Sequence, residues 1–254
     1  MCGPNLSTRE MYDTTAHRWA RSGPVALSDF TARQPVLAMC EPVTGLGALD
    51  LGAGEGYCSR HLRRAGASRV QGLELSARMV ELARGAEARE PLGIVYHHGD
   101  ATDLSRFGEA ETDLALAMFL FNYLDPAQTR ACMREVARVL RPGGRFVFAV
   151  PHPVFPFVRS PAPPFYLDAG SGGYFSSAGQ WFPGRIWRRD GVALDVQLCH
   201  KTIEHYFGAM RDAGFRSMPR VLELGVTEQL MDMDPAFFGP LRDIPLHVAM
   251  EIIR

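Results

Sequence analysis

The run Leu49-Asp50-Leu51-Gly52-Ala53-Gly54-Glu55-Gly56 sets three glycines at every second position, directly after an apolar stretch. Glycine at this density lets the backbone turn sharply and lets its N–H and C=O groups approach a ligand with no Cβ in the way. The flanking pattern puts the turn between a strand and a helix. LGALDL at 46–51 reads as a buried strand, Tyr57 to Ala65 as a helix, and RVQGLEL at 69–75 as a second strand. Ser76 is placed to cap ARMVELAR, with Gly85 as its stop; GIVYHH at 93–98 and TDLALAMF at 112–119 give two more strands. Asp125-Pro126 opens a helix whose stripe is Cys132, Met133, Val136, Val139 and Leu140; RPGG at 141–144 ends it, and RFVFAV at 145–150 is a fifth strand. Strands alternating with helices in this way predict βαβ units and a parallel sheet.

Beyond Val150 the regularity fails. Residues 151–199 mix Pro, Gly and large aromatics with neither a helical nor a strand period, which predicts a lid over a site, since loops this long inside a domain are usually functional or disordered. Thr202 caps a helix, IEHYFGAMRDAG, and FRSMPRVLEL and PLHVAMEII read as closing strands separated by an acidic, Pro-containing loop. The 254 residues thus divide into an N-terminal helical cover (1–45), a core (46–150), a lid insertion (151–199) and a closing helix with strands (200–254), all within one expected domain.

Composition removes whole classes of partner. Lys and Arg total 27 against 28 Asp and Glu, so the overall charge surplus that draws a chain to phosphate backbones or anionic membranes is missing. No apolar run approaches a membrane span, and the N-terminus carries no export-type segment. The five cysteines, Cys2, Cys40, Cys58, Cys132 and Cys199, are odd in number and lack C-x-x-C spacing, which predicts reduced thiols in a cytoplasmic protein and neither a disulfide framework nor a metal centre.

The glycine loop gains meaning from Glu74, at the end of the second strand and 22 residues after Gly52, where a carboxylate can accept both hydrogen bonds of a ribose diol. A nicotinamide dinucleotide asks for G-x-G-x-x-G; here the spacing is G-x-G-x-G, and Glu55 adds negative charge where pyrophosphate would lie. The mismatch favours a cofactor without phosphate. Asp50, Gly52, Gly54, Gly56 and Glu74, with GDAT at 99–102 and RPGG before the fifth strand, resemble the class I S-adenosylmethionine-dependent methyltransferases of small-molecule type.

That resemblance implies a Rossmann-like, mostly parallel seven-stranded sheet with helices on both faces, an antiparallel last strand and an inserted lid. It implies that Gly52, Gly54 and Gly56 lie under the methionine portion with Asp50 orienting it, that Glu74 holds the ribose, and that Leu75, Asp100 and Ala101 meet the adenine. The Ala117 carbonyl would receive the methionine ammonium, Phe119 would wall the adjoining pocket, and Tyr12, Asp13 and Trp19, with Arg21 on the methionine carboxylate, would close over the top.

Methyl transfer from a sulfonium needs chiefly alignment, with a base where the acceptor must lose a proton. His152, two residues past the fifth strand, is the first candidate for such a base, and His200, at the start of the late helix, the second. The lid aromatics Phe155, Phe157, Phe165, Tyr166, Tyr174, Phe175, Trp181, Phe182 and Trp187 suit a planar acceptor. The expected activity is O- or N-methylation of a small aromatic or heterocyclic metabolite, with no nucleic-acid or membrane partner. Its alternatives are a cofactor-binding module without turnover and an NAD-dependent oxidoreductase, the latter disfavoured by the glycine spacing.

Overall fold

The computed structural model describes residues 7–21 and 23–254; Cys2 lies outside them. Chain order is α1 (Thr8–Trp19), a π-helical turn (Asp29–Arg33) running straight into α2 (Gln34–Cys40), β1 (Gly47–Leu51), α3 (Tyr57–Arg64), β2 (Arg69–Glu74), α4 (Ala77–Arg89), β3 (Val95–His98), β4 (Thr112–Met118), α5 (Pro126–Val139) and β5 (Leu140–Pro151). The second half holds α6 (Phe155–Val158), β6 (Phe165–Leu167), β7 (Trp181–Trp187), β8 (Ala193–Cys199), α7 (Ile203–Asp212), β9 (Arg220–Leu224), α8 (Glu228–Met233), α9 (Pro235–Phe238) and β10 (His247–Ile253). Seven strands form one sheet in the order β3-β2-β1-β4-β5-β10-β9, parallel from β3 to β5, with β10 antiparallel to both of its neighbours.

The central strands are buried on both faces, as parallel strands under crossover helices must be. Along β4, Ala115 and Ala117 face one core with Met133 and Val136 of α5 and Tyr206 and Met210 of α7, while Leu114, Leu116 and Met118 face the other with Val36 of α2, Leu62 of α3 and Val80 of α4. The helix starts follow their sequence signals. The Ser76 hydroxyl accepts from the Met79 N–H, and Asp125 and Gln128 complete a capping box behind Pro126; each such cap stabilises its helix by ~1 kcal/mol.

Three local expectations fail for identifiable reasons. Gly85 does not stop α4, which runs on to Arg89; the cost of an interior glycine, ~1 kcal/mol, is tolerated in a helix anchored by the buried Met79, Val80 and Ala83. RPGG is absorbed into the irregular start of β5, with Gly143 at φ +78° and a register shift against β4 between Thr112 and Leu114. The 151–199 segment is not irregular: β6, β7 and β8 pair antiparallel in a second, three-stranded sheet. In β7, Phe182, Gly184 and Ile186 turn inward while Trp181 and Pro183 are exposed, a period of two hidden by a proline and a glycine. Pro183 lies just beyond the last β6 partnership, Leu167 with Gly184, where its carbonyl accepts from the Asp168 N–H at 2.8 Å and no N–H is called for on that side.

This small sheet has its own core, with Phe155, Phe165, Leu167, Phe182, Ile186 and Leu198 packed against Leu230 of α8, Phe238 of α9 and Leu246 just before β10. No helix among the described residues is long and apolar enough to cross a membrane.

Candidate functional site

A cavity of about 1040 Å³, counting its open mouth, lies at the carboxyl ends of β1, β2 and β4 beneath α1. Between β1 and β4 the chain changes the direction in which it builds the sheet, and ligands in open α/β sheets settle at such a switch point. Its floor is the glycine loop. Gly52 and Ala53 donate to the Leu73 carbonyl at 2.8 and 3.0 Å, which ties the turn to the end of β2. Gly52 and Gly54 hold φ of +69° and +57°, values that L side chains rarely adopt, and a Cβ on Gly54 would meet nothing within 4 Å. The loop therefore offers the cavity bare backbone.

Two carboxylates edge this floor. Glu74 accepts the Gly54 N–H on Oε2 at 2.9 Å and the Ser76 N–H on Oε1 at 2.8 Å, so its plane is fixed while each oxygen keeps a lone pair. Burial raises its pKa despite these bonds. Asp50 accepts from the Ser59 hydroxyl at 2.6 Å on Oδ2, whereas its buried Oδ1 has no partner among the described residues. Burial first, and the neighbouring acids Glu74 and Glu55 after it, push Asp50 up to about 6. An orphaned buried acceptor beside an open cavity is a group held ready for a donor. Asp100 has one oxygen occupied by the backbone and hydroxyl of Thr102, and it lines the cavity with Leu75 and Ala101.

The roof is α1. The Tyr12 hydroxyl donates to that of Tyr123 at 2.7 Å, and the Tyr12 ring lies 5.7 Å from Trp19. Asp13 accepts from the Ser76 hydroxyl and from the Arg78 N–H, so it joins Ser76 in capping α4 and latches the roof to the strand end that carries Glu74. Two arginines enter beside it. Arg21 lies over the Tyr57 ring with Nε 3.4 Å from Glu55 and 3.6 Å from Asp29. Arg33 lies over the Phe119 ring, with Nη1 bonded to Asp29 at 2.7 Å and to the Ser28 hydroxyl at 2.6 Å. Arg33, Tyr57, Met79, Leu120 and Tyr123 line the cavity without having been singled out in the sequence; the Asp29/Arg33 spacing of four residues was the one available signal.

Of the residues expected at a cofactor, Tyr12, Trp19, Arg21, Asp50, Gly52, Gly54, Glu74, Leu75, Asp100, Ala101 and Phe119 border this cavity, and Gly56 and Ala117 do not. Gly56 is required by packing: its φ is +86°, and a Cβ there would fall 2.3 Å from the Tyr96 hydroxyl. Ala117 is sealed in the core, and the next residues, Met118 and Phe119, reach the cavity in its place. The two histidines expected as bases also lie off the cavity lining. His152 accepts the Val154 N–H on Nδ1, so Nε2 carries the proton and donates to Glu223 at 3.0 Å; both nitrogens fix the turn after β5. His200 donates from Nε2 to the Tyr174 carbonyl at 2.7 Å between the rings of Phe157 and Phe182, and burial lowers its pKa.

None of the lid aromatics lines the cavity either. Most of them pack within the small sheet and its surroundings, as in the Phe155–Phe165 stack at 4.4 Å, while Phe175 and Trp181 are exposed. The cavity's aromatic walls are Tyr12, Trp19, Tyr57, Phe119 and Tyr123. The small sheet touches the site from behind: Gln197 of β8 donates to the Thr8 hydroxyl at 3.1 Å, and the buried Lys201 ammonium donates to the carbonyls of Leu124 and Cys199.

A family model described as a methyltransferase domain matches residues 48–144, the stretch from β1 into β5. The chain is similar to a demethylmenaquinone methyltransferase of Tropheryma whipplei, 32% identical over 158 residues, or 59% of this chain and 63% of that protein. It is also similar to the O-methyltransferase cnsE of Penicillium expansum, 38% identical over 111 residues covering 42% and 39% of the two chains. The matches to these two curated relatives thus span 63% and 39% of their lengths. Among solved structures, an S-adenosylmethionine-dependent methyltransferase from Mesorhizobium loti superposes with a TM-score of 0.65 at 25% identity, covering 89% of this chain and 99% of that one. The [4+2]-cyclase SpnF shares the fold at a TM-score of 0.63 and 14% identity, covering 98% of this chain and 96% of its own.

Proposed function

Residues 48–144 place this chain among the class I S-adenosylmethionine-dependent methyltransferases, and from that premise we propose that it methylates an oxygen or nitrogen of a small planar metabolite. The observation that carries the reading is the Glu74 carboxylate, held by two backbone N–H groups with one lone pair on each oxygen turned to the cavity. A ribose diol is the ligand group with two matched donors.

The remaining residues fit the same cofactor. The orphaned Asp50 Oδ1 suits the methionine ammonium, and Arg21, on the Tyr57 and Glu55 side, suits the methionine carboxylate. Leu75 supplies an apolar face for adenine, Asp100 retains an oxygen for its amine, and Ala101 contributes its N–H. Glu55, which would repel a pyrophosphate, is no obstacle here. When bound, S-adenosylmethionine supplies a methyl group on a cationic sulfur, open to attack along the axis of the bond that breaks.

The chain's own contribution is then alignment and the exclusion of water. Trp19, Phe119 and Tyr123 confine a flat acceptor, and Tyr12 bridges the roof to Tyr123 over it. The relatives support a small-molecule acceptor in kind: besides the two above, the chain is 27% identical over 142 residues to an N-demethylindolmycin N-methyltransferase of Streptomyces griseus. The alternative, a cofactor-binding module without methyl transfer, is separated from this reading by experiment. Calorimetry with S-adenosylhomocysteine, followed by a product screen with S-adenosylmethionine, tests both readings. Absence of S-adenosylhomocysteine binding removes both readings, and binding without product in any screen favours the second.

A further inference from the structure

We propose that Lys201 is a positioning residue for the acceptor end of the cavity, its ammonium tying the wall that carries Tyr123 to the three-stranded sheet. The inference rests on the methyltransferase reading and concerns the acceptor side of that same site.

Of the 27 Lys and Arg residues in the chain, Lys201 alone is a lysine, and it is buried. A compact ammonium with three donors is a different group from the planar guanidinium used everywhere else. Its Nζ donates to the Cys199 carbonyl at the end of β8, at 2.9 Å, and to the Leu124 carbonyl, while the Tyr206 ring of α7 lies 5.9 Å away. No carboxylate among the described residues pairs with it; Asp125, beside Leu124, gives its Oδ1 to the N–H groups of Ala127 and Gln128. A buried charge with no paired carboxylate is a poor stabiliser. What this one does is join two carbonyls from separate parts of the fold.

Leu124 closes a wall, residues 119–124, of which Phe119, Leu120, Tyr123 and Leu124 line the cavity. The wall begins at Phe119 with a φ of +58°, where an aromatic residue is rarely found, and continues through a single helical turn, Phe121–Tyr123. Such a course needs ties from outside. The Ala149 carbonyl of β5 accepts the Phe119 N–H at 2.9 Å, α1 contributes the Tyr12–Tyr123 bond, and Lys201 supplies the tie from the small sheet. Lys201 itself does not line the cavity; it acts through Leu124 and the adjoining Tyr123.

Burial lowers the Lys201 pKa to about 8, with Cys199 and Asp125 working in the opposite direction. The other titratable groups around it are Tyr206 and His205 of α7, with His200 and Tyr174 from the small-sheet side. The ammonium is therefore present below pH 8 and lost above it. A neutral amine holds carbonyls less strongly than a charged donor does, so the wall should loosen as pH rises through this value.

A sole lysine makes the test direct. Protein labelled with carbon-13 at the lysine ε and tyrosine ζ carbons gives one lysine signal, and Tyr123→Phe identifies the Tyr123 signal. Between pH 7 and 9.5 the lysine signal should titrate with a midpoint of about 8, and the Tyr123 signal should move with the same midpoint. Lys201→Met should abolish the Tyr123 movement; Lys201→Gln, a neutral donor, should do the same and serves if the first variant misfolds. The probe for the acceptor end is 2-methoxynaphthalene, planar and uncharged throughout this range, titrated against protein saturated with S-adenosylhomocysteine. It should bind about threefold more weakly at pH 9.5 than at pH 7 and, reciprocally, raise the lysine midpoint. In Lys201→Met its affinity should not depend on pH. A lysine that titrates near the ordinary 10.5, or a Tyr123 signal indifferent to the lysine titration, overturns the proposal. So does a probe affinity that is equal at the two pH values or absent at both. Failure of the wild-type protein to bind S-adenosylhomocysteine counts instead against the cofactor reading, while the signals of the ligand-free protein still decide whether Lys201 holds the wall.

Discussion

The glycine loop and the three-stranded sheet solve opposite problems with the same residue types. In the loop, glycines at φ +69° and +57° expose backbone to a cavity, and the side chains that matter are acids held by main-chain N–H groups. In the small sheet, Gly184 sits where a Cβ would meet the Tyr166 carbonyl at 2.5 Å, and the aromatics around it bury one another. One region uses glycine to leave space open and the other to close it. Composition alone therefore cannot tell a binding loop from a packed one; the placement of acids beside the glycines does.

The comparison can be broken most sharply at Gly56, the loop glycine that behaves like the sheet's. Gly56→Ala puts a Cβ at φ +86° and 2.3 Å from the Tyr96 hydroxyl, so it should destabilise the fold by about 2–5 kcal/mol, read by denaturant unfolding. A loss under 1 kcal/mol would mean that Gly56 answers to the ligand after all. Glu74→Ala should cost about 2 kcal/mol of S-adenosylhomocysteine affinity, roughly thirtyfold, through the lost ribose bonds. Unchanged affinity by calorimetry removes the ribose assignment.

A smaller effect is expected from Asp50, through pH. Its folded pKa of about 6 lies above the ordinary 3.8, so the folded state holds this proton more tightly than the unfolded chain does. Its contribution to stability is accordingly most favourable below pH 4, is lost as pH rises from about 4 to 6, and is constant above. Asp50→Asn should thus raise the Tm of the ligand-free protein at pH 8, with the advantage shrinking toward pH 4, and should weaken S-adenosylhomocysteine. A Tm difference independent of pH between 4 and 8 contradicts the assignment. The smallest change is expected from His152→Ala, which loses a turn-fixing bond worth about 1 kcal/mol and leaves turnover of any identified acceptor unaltered across pH; a lost pH-dependent limb would restore His152 as a base.

The cofactor half was legible because its constraints are local. A glycine at positive φ, a cap such as Ser76 or Asp125, and a carboxylate at a strand end each leave a mark at a fixed offset in the chain. The strand and helix positions from 46 to 150 followed from such marks, apart from the extra turns of α4 past Gly85 and the irregular start of β5. The cavity's aromatic walls were only partly foreseen, because they come from distant segments. Trp19 and Phe119 were expected from the family resemblance, whereas Arg33 and Tyr123 join them only once α1 and the π-helical turn fold over the sheet, and the Asp29/Arg33 spacing alone hints at it. The aromatics of 151–199 were conspicuous for their number, yet a lone sheet with one covered face needs just such a supply to build a core.

Asp13 ties these two halves in time as well as space. It closes the roof by completing the cap of α4 through Ser76, two residues from the Glu74 carboxylate proposed to hold the ribose. Lifting α1 off the cavity breaks that latch and the Tyr12–Tyr123 bridge together. A ligand that bridges the floor and α1 opposes that lifting, so amide exchange along Thr8–Trp19 should slow when the cavity is filled.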